Sequence, residues 1–144
     1  MSYMYQPGEL LRFSSFEFKN GRQPKPKYFI VLGHIDDKVM MASLPTSKDH
    51  VPADAVVEHG CVNIKERGVN AYVFSPKDKV TSTFSFPRPT FVYGEQVDEY
   101  EQKYLDAMQS SVDHLGQIDQ QIFQELKECV KQAAHLRRKY RNLL

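Results

Sequence analysis

Tyr28-Phe29-Ile30-Val31-Leu32 and Val39-Met40-Met41-Ala42-Ser43-Leu44, joined by Gly33-His34-Ile35-Asp36-Asp37-Lys38, are the stretch that decides the fold class. Each run is short, apolar and rich in β-branched or aromatic side chains, the pattern of a strand buried on both faces. The Asp-Asp turn between them makes the two runs a hairpin. At the end of the second run, Pro45-Thr46-Ser47-Lys48 presents two hydroxyls and an ammonium together. A strand end fixes the groups its loop presents, so this is a good place to meet a phosphate.

Working outward, Gly8 to Phe18 reads as an earlier strand. Lys19 to Pro26 contains Asn-Gly and two prolines and reads as a mobile cationic loop. Downstream, Val56-Val57, Cys61 to Ile64 and Ala71 to Phe74 suggest further short strands. Thr81 to Phe86 runs into Pro87 and Pro89, so it belongs on an edge or in a loop, and Thr90 to Tyr93 is the last strand. So many short strands at close spacing predict a small twisted sheet or barrel.

The last third changes character. Asp98 to Met108 has helical composition, and Leu115, Ile118, Ile122, Leu126, Val130, Ala133, Leu136 and Tyr140 recur at helical spacing. This predicts a long amphipathic C-terminal helix whose stripe either covers the sheet or forms a seam with another chain. Residues 98–129 carry eight acids against two bases, whereas residues 130–144 carry five bases and no acid. Positive charge there complements the end of a helix or forms an RNA-binding tail. The expectation is one domain over residues 1–144, mainly β with C-terminal helices (β+α): a β part at 7–97 and a helical part at 98–144.

Composition limits the function classes. With 144 residues, 41% hydrophobic and 26% charged, the chain is an ordinary globular one, and its 19 basic and 18 acidic residues leave no strong net field. There is no long apolar run for a membrane span, and Met1 to Gln6 does not read as a signal peptide, so a cytoplasmic protein is expected. Cys61 and Cys129 are expected as two reduced, partly buried thiols. The scattered histidines form no metal pattern, so no metal and no cofactor are expected.

Cleaving RNA without a metal takes a base for the 2′-hydroxyl proton, a stabiliser for the pentavalent phosphorane and an acid for the departing 5′-oxygen. Glu9 and Glu95 are carboxylates beside strand ends. Thr46 and Ser47 can hydrogen-bond phosphate oxygens, and Lys25, Lys27 and Lys48 supply charge. The plain alternative is that all are surface groups at strand ends. Phe16, Phe18, Tyr28, Phe84, Phe86, Phe91 and Tyr93 offer rings on which unpaired bases stack, although strand alternation assigns about half to a core.

The order Gly8-Glu9, Lys25-Pro26-Lys27-Tyr28, Pro45-Thr46-Ser47 and Thr90-Phe91-Val92-Tyr93-Gly94-Glu95-Gln96 resembles the MazF/PemK family of toxin–antitoxin toxins, over about residues 7 to 105 in pieces. The resemblance implies a small SH3-like barrel, a homodimer and a groove between the first long loop and the sheet. It implies metal-independent endoribonuclease activity on single-stranded RNA, leaving a 2′,3′-cyclic phosphate and a 5′-hydroxyl, and a cognate antitoxin that occupies the groove. Taken with the reading of the residues, it makes Lys27, Glu95 and Thr46 the expected catalytic residues and Glu9, Lys25, Ser47, Lys48, Arg88 and Tyr93 the expected substrate-binding ones, Arg88 because it stands just upstream among prolines. Lys27 stands where the family has arginine, losing the bidentate fork, and Glu95 stands where it has aspartate. The alternative function is a catalytically inactive SH3-like module that binds protein or nucleic acid.

Overall fold

The computed structural model describes residues 5–45, 51, 54, 57–134 and 136–144. Its strands are β1 (Glu9–Phe16), β2 (Lys25–Ile35), β3 (Lys38–Ser43), β4 (Gly60–Ile64), β5 (Val69–Phe74), β6 (Thr90–Tyr93), β7 (Val97–Glu101) and β8 (Val112–Gln117). Its helices are α1 (Gln102–Asp106), α2 (Gln120–Lys131) and α3 (Arg138–Arg141). The protein is therefore mainly β with a few helices. A five-stranded antiparallel sheet runs in the order β7-β3-β2-β1-β8, and a three-stranded one in the order β4-β5-β6.

The continuous apolar runs of β2 and β3 exist because the large sheet is buried on both faces. Leu10, Ile30, Met40 and Ala42 meet Phe74 and Val92 of the small sheet and Leu126 and Val130 of α2. Leu11, Phe29, Val31 and Met41 form the other face, covered by Tyr5, Leu105 and Met108. Each large side chain so buried contributes about 1.5–3 kcal/mol relative to exposure. The β2–β3 hairpin turns at Asp36-Asp37, with Asp36 at φ 55°, a left-handed conformation that aspartate tolerates better than most residues. Register shifts interrupt the β1–β2, β1–β8 and β2–β3 pairs, and irregularities of this kind bend a strand locally.

Two expectations require correction. The C-terminal third is not one long helix: Val97–Glu101 pairs with β3 and Val112–Gln117 pairs with β1, so both are edge strands of the large sheet. Gly116, at φ 112°, has a backbone that no helix interior contains. The helix itself spans Gln120–Lys131, opened by Asp119, whose side chain accepts the Ile122 N–H. Its stripe covers the sheet, and the basic end is largely structural. The Arg141 guanidinium donates to the carbonyls of Lys131, Ala133 and Leu136, and Lys139 pairs with Glu99.

The second correction concerns the thiols. Cys61 of β4 and Cys129 of α2 form a disulfide, with Cα atoms 5.6 Å apart. Packing of α2 on β4 and β5 brings the two residues within bridging range although they lie 68 positions apart in sequence. Nearby, the Tyr72 hydroxyl donates to Glu125, a second tie between the small sheet and α2.

Candidate functional site

The second strand begins earlier than its apolar run suggests, at Lys25, and this extension carries Lys25 and Lys27 beside the end of β1. There they line a groove of about 530 Å³ with Arg12, Pro26, Tyr28, Leu44, Pro45, Phe86, Pro87, Arg88 and Thr90. Its walls are positioned by backbone hydrogen bonds. Leu44 N–H donates to the Tyr28 carbonyl at 3.1 Å, and Phe91 N–H donates to the Pro45 carbonyl at 2.9 Å. The Thr90 hydroxyl donates to the Arg88 carbonyl, fixing the loop that delivers Arg88.

Arg12, Lys25, Lys27 and Arg88 all line this groove, Arg12 from the sheet face of Tyr28 and the two lysines from the face of Phe13 and Phe16, and among the described residues no carboxylate lines it. Among the described residues none of the four is in an ion pair. Unbalanced positive charge in a concave site is attractive to an anion, and oxygen-rich phosphate is the anion that suits both ammonium and guanidinium donors. Half-burial first, and then the Lys25 charge, lower the pKa of Lys27 below the ordinary lysine value. The aromatic floor is continuous: Tyr28 meets Phe86 edge to face at 5.3 Å, and Phe86 meets Phe84 at 5.2 Å and Phe74 at 5.4 Å. The Arg12 guanidinium lies 5.9 Å from the Tyr28 ring centre, and Lys25 Nζ lies 5.8 Å from that of Phe18.

The other residues expected at the site are distributed differently. Thr46, Ser47 and Lys48 lie outside the described residues; Pro45, which precedes them, lines the groove. Glu9 is buried at the far end of β1, where it accepts from the Gln6 N–H at 3.3 Å and lies 2.9 Å from His114 Nδ1. Glu95 is exposed on the 3-10 turn Gly94–Gln96 and lines a separate cleft of about 320 Å³ with Asp98, Arg137 and Tyr140. Tyr93 is buried in the outer face of the small sheet, stacked parallel to Phe91. Lys25, Lys27 and Arg88 are therefore brought together, whereas Glu9, Glu95 and Tyr93 are not with them.

Arg12 is the groove residue that sequence reasoning missed. The available signal was a charged residue between buried Leu11 and Phe13, directly opposite Tyr28 in the β1–β2 register. Among the described residues no group of histidine, cysteine, aspartate and glutamate is placed to hold a metal ion, and no helix is long and apolar enough to cross a membrane. No protein-family model matches the sequence, and no curated protein is significantly similar to it.

Proposed function

We propose that this chain is a MazF/PemK-like toxin: a metal-independent endoribonuclease of single-stranded RNA, built on an SH3-like barrel and neutralised by a cognate antitoxin. The observation that carries the reading is that Lys25, Lys27, Arg88 and Arg12 all line the groove bounded by Pro45, the residue before Thr46-Ser47. In this reading phosphates sit on Lys25 and Arg88. The attacking 2′-hydroxyl gives its proton to solvent water as its oxygen bonds to phosphorus. Lys27, which releases its proton more readily than an ordinary lysine, opposes the charge on the phosphorane and passes its proton to the 5′-oxygen as that bond to phosphorus breaks. The antitoxin competes for the same positive groove with an extended acidic segment, and the toxin acts as a homodimer. Sedimentation equilibrium then gives about twice 16.7 kDa.

The location that goes with this reading is the cytoplasm. The Cys61–Cys129 bond is the feature that pulls the other way, because disulfides persist chiefly in oxidising compartments.

The test is cleavage of a long single-stranded RNA by the purified protein in EDTA. Few cut sites and 5′-hydroxyl ends support the proposal, and a requirement for magnesium overturns its mechanism. One observation favours a second reading, a non-enzymatic module that binds single-stranded nucleic acid: Glu9 and Glu95 lie away from the groove, and among the described residues no carboxylate lines it to act as base. Tight binding of RNA with no cut in any sequence selects that reading.

A further inference from the structure

Resting on the reading of the groove as a site for single-stranded RNA, we infer that Arg12 is a specificity-determining residue that reads a guanine base. The four cations of the groove are not equivalent. Lys25 and Arg88 are exposed at its rim, where hydrated phosphates pass, whereas Arg12 is half-buried in the middle of β1. Tyr28 stands opposite it in register on β2 and Asp113 on β8, and the apolar lining of the cavity beside it is Phe86, Leu44, Pro45 and Pro87. A base, not a sugar-phosphate, is the part of a nucleotide that such walls accept.

The guanidinium is set against the Tyr28 ring at 5.9 Å and has no carboxylate partner among the described residues. The ring braces the group and leaves N–H donors available in their fixed fork. Two parallel donors match the O6 and N7 acceptors that guanine presents side by side, while adenine replaces O6 by an amino donor that opposes them. Cytosine and uracil lack the paired acceptors. The groove therefore holds a guanine against its aromatic floor, with Arg12 on the base edge and the flanking phosphates on the rim.

The experiment measures binding of the full chain to 2′-fluoro oligouridines, which lack the attacking hydroxyl, carrying one central guanosine, inosine, 7-deazaguanosine or adenosine. Guanosine and inosine, which share O6 and N7, should bind alike and about tenfold or more tighter than adenosine, with 7-deazaguanosine intermediate. Arg12→Lys, which keeps the charge and removes the fork, should abolish this discrimination while leaving oligouridine affinity within about threefold. Arg12→Ala should also lose the discrimination and, with one groove charge gone, bind oligouridine more weakly than Arg12→Lys does, and circular dichroism of both variants reports that the fold is intact. Lys25→Ala should weaken every oligonucleotide alike and reduce the salt dependence. Equal loss of all oligonucleotides on Arg12→Lys would make Arg12 a phosphate contact and overturn the inference, as would wild-type protein that binds guanosine and adenosine equally. Failure of the wild type to bind any of them at low salt would instead overturn the groove reading beneath it.

Discussion

Gly94 lies so close to Ala133 that a Cβ added to it would collide with the Ala133 methyl and stand 2.6 Å from Asn70 Oδ1. This contact seats the 3-10 turn after β6 on the end of α2, and the turn's conformation does not itself demand glycine, since Gly94 is not among the positive-φ residues. Gly94→Ala should therefore destabilise the protein by overpacking, by about 1–3 kcal/mol in urea unfolding. Adding Ala133→Gly should recover part of the loss, because only one of the two collisions is relieved. An unchanged midpoint for Gly94→Ala would show that α2 and the turn separate without cost.

The Cys61–Cys129 bond closes a long loop, 68 positions in sequence separation. Chain-entropy arguments put the stabilisation from such a loop at about 4 kcal/mol, as an upper figure. Cys61→Ser should lower the thermal midpoint sharply, and dithiothreitol should do the same to the wild type and nothing further to the variant. Two titratable thiols in the untreated denatured protein would mean that the bond does not form.

Activity should separate two lysines that look alike in sequence. Lys27→Ala removes a half-buried charge from the groove and should cost about 2–4 kcal/mol of transition-state stabilisation, on the order of a hundredfold in cleavage rate. Lys139→Ala removes a partner of Glu99, neither of which lines the groove, and should leave the rate nearly unchanged. Equal losses would show that the chemistry lies outside the groove.

Acid should expose the role of that same Glu99. Its carboxyl is held down to about 2 from 4.5, chiefly by the Lys139 hydrogen bond, with help from the Tyr140 hydroxyl and the charges of Lys139 and Lys38. A folded pKa below the unfolded value means that stability is fully present above about pH 4.5 and is lost as pH falls toward 2. The contribution, reduced for a partly solvated site, is about 1–2 kcal/mol. Urea midpoints measured across that range should fall less steeply for Glu99→Gln than for the wild type.

Much of the sheet was legible because β1, β3, β5 and β6 bury most of their length and β2 buries its central Phe29 to Leu32, and burial writes itself into apolar runs. β7 and β8 were not legible for the complementary reason. They are edge strands, Val-Asp-Glu-Tyr-Glu and Val-Asp-His-Leu-Gly-Gln, whose charge guards an edge and imitates a solvated helix. The overlong helix was an error of period: Leu115 belongs to β8, and Leu136 and Tyr140 lie beyond a break after Lys131, yet all keep step with the stripe of α2. At the site, the clustered cations of Lys25 and Lys27 were visible as a motif, and Arg88 followed from its place among prolines. Arg12 was hidden, because a single arginine in a buried strand reveals its position only through the cross-strand register.

β1 lies between β2 and β8, so the second strand of the chain's central pairing and its last strand both hydrogen-bond to the first. During synthesis the first can form as soon as β2 leaves the ribosome, but the other edge of β1 stays open until Gln117 has emerged to meet Glu9. The nascent chain thus carries an unpaired strand edge through most of its elongation, and at roughly 5–20 residues per second that interval lasts several seconds. A ribosome stalled before Val112 presents a chain that already contains the groove residues Arg12, Lys25, Lys27 and Arg88 but lacks the strand that closes the sheet beside them.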